Sequence, residues 1–110
     1  MKEDFDFIAR LYYFTLDEGG RSTPAKSGYR PQLRFDFERR TTSGRQIFLD
    51  REWVCPGEYI NAEITMLSPQ FLENKLFEGL QFKFCEGSKT VGTGTIFKIL
   101  NKKLLKTSLV

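Results

Sequence analysis

The chain has 110 residues, 40% hydrophobic and 28% charged, with a net charge of +3 and no histidine. That length suits one domain, able to bury roughly two thirds of its unfolded surface, and the balance is that of a folded globule rather than a disordered chain. The missing histidine removes Ser-His-Asp and Cys-His catalysis, and two cysteines alone do not complete a four-ligand zinc site, so no metal or cofactor is expected.

The first residues, MKEDFDF, are acidic and lack the basic-then-apolar order of a signal peptide, which predicts a cytoplasmic protein; the spacing of Cys55 and Cys85 permits a disulfide, but nothing else points to export, so free thiols are the favoured reading. No run approaches the ~18 apolar residues of a membrane span. Eleven phenylalanines favour a β-rich core. Phe7–Leu16 is apolar on both parities, with Phe7, Ala9, Leu11 and Tyr13 on one, and predicts a long strand stopped at Gly19-Gly20. The loop Glu18–Gln32 follows, punctuated by Gly19, Gly20, Pro24, Gly28 and Pro31 and carrying Arg21, Lys26 and Arg30. Glycine permits angles that other residues avoid and proline fixes φ, so such a loop has a specified path.

Leu33, Phe35 and Phe37 alternate with Arg34, Asp36 and Glu38, as in a half-buried strand. Thr41–Gly44 has turn chemistry, with Gln46–Leu49 as the returning arm. After a turn at Pro56-Gly57, the residues Ile60, Ala62, Ile64 and Met66 alternate with polar ones in the cleanest strand, ended by Ser68-Pro69. Gln70–Phe77 predicts an irregular loop or one helical turn, Leu72 and Leu76 being four apart. Leu80, Phe82 and Phe84 mark another strand, Glu86-Gly87-Ser88 a turn, and Val91–Leu100 the last strand. Gly92 and Gly94 lie on one face of it, where something must approach the backbone closely. Asn101–Val110 predicts a frayed basic tail from about residue 101. Six such strands in one all-β domain over 1–110 predict a small antiparallel barrel or sandwich.

Charge is unevenly placed. Residues 21–45 hold seven cations against Asp36 and Glu38, a local +5, whereas residues 1–18 carry five acids against Lys2 and Arg10. The tail adds Lys98, Lys102, Lys103 and Lys106. Such a distribution fits either one face for an anionic partner or ordinary solvated strand faces. Two short motifs are discarded. Gly87-Ser88-Lys89-Thr90 lacks the glycine before the lysine that a phosphate loop needs, and Gly92-x-Gly94 has Phe97 where a dinucleotide fingerprint has its third glycine.

The run Glu18-Gly19-Gly20-Arg21-x-Thr23-Pro24 and then Gly28-Tyr29-Arg30-Pro31-Gln32 resembles the third domain of bacterial elongation factor Tu. Pro56-Gly57, Glu86-Gly87 and Thr90-Val91-Gly92-x-Gly94 follow in the family's order, so the resemblance covers roughly residues 5–100. It implies a six-stranded, antiparallel, closed β-barrel. The GTPase domain and the aminoacyl-holding barrel have no counterpart in these 110 residues, so the chain looks like a free-standing copy of one non-catalytic module that does not bind GTP by itself.

In the family this barrel contacts the tRNA T-stem backbone, packs on the GTPase domain and meets the exchange factor Ts. The resemblance places the family's T-stem arginine on Arg21, a neighbouring histidine on Ser22, a glutamine near both RNA and the GTPase domain on Gln32, a hairpin threonine on Ser43, and a backbone contact on Gly87. The family's second glycine there is Ser88, its arginine is Lys89, and the arginine before the glutamate is Cys85; Gln70–Phe77 is also longer. Lys26 and Arg30 add cations for backbone recognition. The alternative for Arg21 and Arg30 is to order the loop by bonding carbonyls or carboxylates such as Glu18. Two functions follow from the resemblance. The favoured one is a non-catalytic module that docks to a translation-related protein, a GTPase domain or exchange factor, because a lone barrel offers only part of the factor's RNA surface. The other is a module binding tRNA or ribosomal RNA through the basic loop and the Gly87–Lys89 turn, with salt-sensitive contacts.

Overall fold

The computed structural model describes residues 5–107. Residues 1–4, in the acidic start, and 108–110, at the end of the basic tail, lie outside them. The strands in chain order are β1 (Phe7–Tyr13), β2 (Ala25–Lys26), β3 (Gln32–Arg34), β4 (Thr42–Phe48), β5 (Trp53–Val54), β6 (Tyr59–Met66), β7 (Gln81–Glu86) and β8 (Lys89–Ile99). Six of them close a barrel in the order β1-β6-β4-β3-β7-β8, with β8 returning to β1 and every neighbouring pair antiparallel. The remaining two, β2 and β5, pair as a small flap in which Ala25 meets Val54 and Lys26 meets Trp53.

Period-two alternation fills the interior. Phe7, Ala9, Leu11 and Tyr13 of β1 and Ile60, Ala62, Ile64 and Met66 of β6 are all buried, and so are Leu33, Phe82, Phe84 and Ile96. The glycine pair of β8 serves this packing. The Phe82 ring occupies the space a side chain at Gly94 would need, and the Phe84 ring does the same at Gly92. The close approach expected at these glycines is therefore that of two rings from the neighbouring strand.

Several element bounds differ from those predicted. β1 ends at Tyr13 rather than Leu16, because the chain turns at Thr15, whose carbonyl accepts from Glu18 N–H (3.1 Å) and Gly20 N–H (2.8 Å). β3 is three residues, not six; Phe35 stays buried, but its carbonyl accepts from Glu38 N–H in a turn, and Phe37 is exposed. The predicted turn Thr41–Gly44 is mostly strand, since β4 begins at Thr42. Gly44 sits there because a Cβ would lie 2.7 Å from Leu33 Cδ1.

The largest correction concerns the tail. Residues predicted to fray from about 101 are ordered through 107. Lys102–Leu104 form a 3-10 turn whose leading Asn101 side chain accepts from Lys103 N–H, and Leu104 is fully buried. This strap lies along the Gln70–Phe77 segment, where Pro69–Leu72 is a second 3-10 turn. Leu76 and Leu105 form a parallel bridge, and Leu104 O accepts from Lys75 N–H (3.0 Å) and Leu76 N–H (2.8 Å). Buried Asp6 ties this end together: Oδ2 accepts from Met66 N–H (2.7 Å), Oδ1 from the Asn101 amide (2.9 Å), and its carbonyl from Leu100 and Asn101 N–H. Among the described residues, no helix is long and apolar enough to cross a membrane, and Cys55 (exposed) and Cys85 (buried) are both free thiols.

Candidate functional site

The loop from Glu18 to Gln32 closes the other end of the barrel, and β4 sets its path. Gly28 N–H donates to Gln46 O (2.7 Å), Gln46 N–H to Tyr29 O (2.9 Å), and Gly44 N–H to Pro31 O (2.9 Å). Gly28, at φ 102°, makes the bend that brings the chain onto this strand. Within the barrel end, Tyr13 donates its hydroxyl to the buried Gln46 side chain, and burial pushes the Tyr13 phenol well up.

Arg21 is turned inward, its side chain only 21% exposed. It pairs with Glu86 through Nη1, donates to Thr23 O (3.3 Å), Thr23 Oγ1 (3.2 Å) and Pro24 O (3.3 Å), and lies over the Tyr29 ring at 4.7 Å. Tyr29 donates its hydroxyl to the same Glu86 carboxylate. Of the two roles open to Arg21, the structure shows it ordering the loop. Its carboxylate is Glu86, not Glu18, which is occupied by Tyr12 Oη (2.6 Å) and Thr15 N–H (2.8 Å).

Partial burial favours a higher pKa for Glu86, but the bonds from Tyr29 and Arg21 and the charges of Arg21 and Lys89 outweigh it, and the net shift is downward. Stability from a lowered carboxylate pKa is present above its unfolded value, about 4.3, and is lost as pH falls through the folded value. Urea midpoints measured between pH 6 and pH 2.5 are expected to fall, and Glu86→Gln should remove the Glu86 share. Because the Glu86 side chain is 40% exposed, solvent screening keeps that share at or below about 1 kcal/mol. Identical pH slopes for the two proteins would contradict the assignment.

The remaining candidate residues are spread over five places. Gln32 pairs across the sheet with Ser43 on one side and Cys85 on the other, and its Oε1 accepts from Thr41 Oγ1 (3.3 Å). Arg30 and Ser43 line a hollow of about 290 Å³ with Arg45, Thr65, Met66 and Leu67. Gly87 and Lys89 are exposed in the β7–β8 hairpin, joined to the loop through Arg21 and Glu86. Its Gly87 (φ 61°) then Ser88 arrangement has the glycine where a type II′ turn requires it. Ser22 is exposed in the loop, and Lys26 stands apart on the flap, 3.6 Å from Glu52 and over the Trp53 ring at 5.8 Å.

Sequence reasoning missed Glu86, Tyr29 and Trp53 as parts of this surface. Glu86 and Tyr29 lie 57 residues apart in the chain and meet only through the barrel. Trp53 is the single tryptophan of the chain and is half exposed, which was a signal available from composition alone. Among the described residues, no three His, Cys, Asp or Glu side chains come together to hold a metal.

A closed six-stranded antiparallel barrel, with its end plugged by a glycine-rich cationic loop, defines the class of the chain as an all-β closed barrel. The family model for the elongation factor Tu C-terminal domain matches residues 1–100, and the chain belongs to that family. The family's domain is non-catalytic and serves translation as a binding module.

Proposed function

We propose that this chain is a non-catalytic docking module that binds a translation-related protein, a GTPase domain or an exchange factor, in the cytoplasm. The hollow beside the loop carries this reading. Its lining sets Arg30, Arg45, Ser43 and Thr65 beside Met66 and a 77% exposed Leu67, and a recess that includes an exposed leucine suits a protein side chain, apolar or acidic, better than a bare phosphate. The cation placed to grip RNA, Arg21, is meanwhile engaged by Glu86, Tyr29 and two carbonyls.

The test is a tagged capture from native lysate, with and without nuclease, reading protein and RNA together. The expected result is a translation GTPase or exchange factor retained after nuclease and moderate salt, and lost with Leu67→Asp. Retention of tRNA that disappears with salt and with Arg30→Ala, and no such protein, would instead favour contact with the T-stem and acceptor backbone through Arg30, Gln32, Ser43, Gly87 and Lys89.

A further inference from the structure

Away from that loop, the outward face of β6, β1, β8 and β7 carries a second constellation. The register places Tyr59 opposite Tyr12, Tyr12 opposite Thr93, and Thr93 opposite Lys83; one step along, Arg10 stands opposite Thr95, and Thr95 opposite Gln81. These side chains border two adjoining hollows, of about 230 and 170 Å³, that share Thr93, Gly94 and Thr95. The Tyr12 and Tyr59 rings lie 4.8 Å apart, and the Arg10 guanidinium sits over Tyr59 at 4.8 Å. A bulge in β8 then turns out Phe97, 71% exposed, with Lys98 beside it opposite Ile8. The strip thus runs from a tyrosine pair and Arg10, past two threonine hydroxyls, to an isolated ring and a lysine.

We propose that this face is a binding site for single-stranded RNA. Flat exposed rings and a guanidinium plane are what unpaired bases stack on, and cations with hydroxyls between them suit phosphate and ribose. Arg10 on β1 and Lys83 on β7 are two strands apart and two residues out of register, about 12 Å at ~4.8 Å per strand and ~3.4 Å per residue, which fits a chain lying diagonally across the sheet. A peptide strand cannot add here, because a closed barrel leaves these strands no free edge. Asp36 borders the second hollow beside Lys83, Glu18 accepts from the Tyr12 hydroxyl, and Glu63 stands across Ile8 from Lys98, so Arg10, Lys83 and Lys98 serve as separate phosphate contacts and stacking on the rings carries most of the affinity. The site shares no residue with the docking hollow, and its fate is independent of that reading.

Fluorescence anisotropy with labelled U-rich and A-rich RNA octamers tests it on the full chain. Binding should fall about tenfold in Tyr59→Ala and again in Phe97→Ala, and Phe97→Tyr, which keeps a ring, should retain it. Both positions are exposed and leave the core untouched. Three phosphate contacts predict a slope of log K against log salt of about −2, reduced by about 0.7 in Arg10→Gln. Four results would each overturn the proposal: no binding at low salt, equal affinity for a duplex of the same length, equal affinity for the matching DNA octamer, or indifference to both ring deletions.

Discussion

Gly92→Ala is expected to destabilise the protein by at least about 3 kcal/mol, and Gly94→Ala by a comparable amount, with different remedies. The Cβ added at position 92 would meet the Phe84 ring and, at 2.5 Å, the backbone carbonyl oxygen of Tyr12. At position 94 the three nearest atoms all belong to the Phe82 ring. A ring can be replaced, whereas a carbonyl in the β1–β8 ladder cannot move without breaking the barrel's closure. Phe82→Leu should therefore rescue much of Gly94→Ala, and Phe84→Leu should rescue little of Gly92→Ala. Double-mutant cycles from urea unfolding report the difference as a large coupling at 94–82 and a small one at 92–84. Gly87→Ala is the control. Its φ of 61° disfavours alanine, but nothing lies within 4 Å of the added carbon, so the cost should stay near 1 kcal/mol. Equal rescue at both positions would contradict the packing described.

The barrel was legible where one face is dry and the other wet. β6 alternates cleanly because inward and outward neighbours differ in kind, β7 does so up to the bulge at Phe84 and Cys85, which are both buried, and the two glycines of β8 announced that large groups press on them. The strand ends were not legible. Thr42, Ser43 and Gly44 have turn chemistry, yet they extend β4 because the Leu33 side chain needs the room left by Gly44. Phe35 and Phe37 continue an alternation that the turn at Glu38 cuts short, and Glu38 is held there by Arg40 and Lys75. The Arg40 side chain and N–H, joined by Lys75, bring the Glu38 carboxyl down to about 2.

The candidate surface was legible as a list of residues and not as a network. Arg21 was visible as a loop cation, but its partner comes from β7, 65 residues on. Glu18, close in sequence, was the natural guess for that role, and it is engaged by Tyr12 instead. Gln32 and Ser43 do meet across the β3–β4 ladder. Arg30 joins Ser43 at the hollow, while Lys26 belongs to a flap that no local pattern announced. The outward strip of β1 and β8 escaped notice because its tyrosines and threonines are ordinary strand residues until the register sets them side by side.

Leu104→Ala is expected to cost about 3 kcal/mol and to lower Tm by on the order of 10 °C, although the residue stands in a lysine-rich tail beyond the matched residues 1–100. Its side chain is fully buried in the core cluster that includes Leu72 and Leu76. Its carbonyl is the acceptor for two amides of the Leu72–Leu76 segment. The apolar pair Leu72 and Leu76, four apart, thus found its partner in the strap. The loss should be global because Asp6 couples the strap to the barrel, holding Asn101 with one oxygen and the end of β6 with the other. A single cooperative transition at lower temperature is the expected result. Were the strap instead to open alone, hydrogen exchange would show Leu76 and Lys106 amides deprotected while Tm stayed near the parent value, and that outcome would contradict the coupling. Lys103→Ala, at an exposed position of the same turn, should change stability by no more than about 0.5 kcal/mol, so the effect follows the buried side chain and not the basic tail.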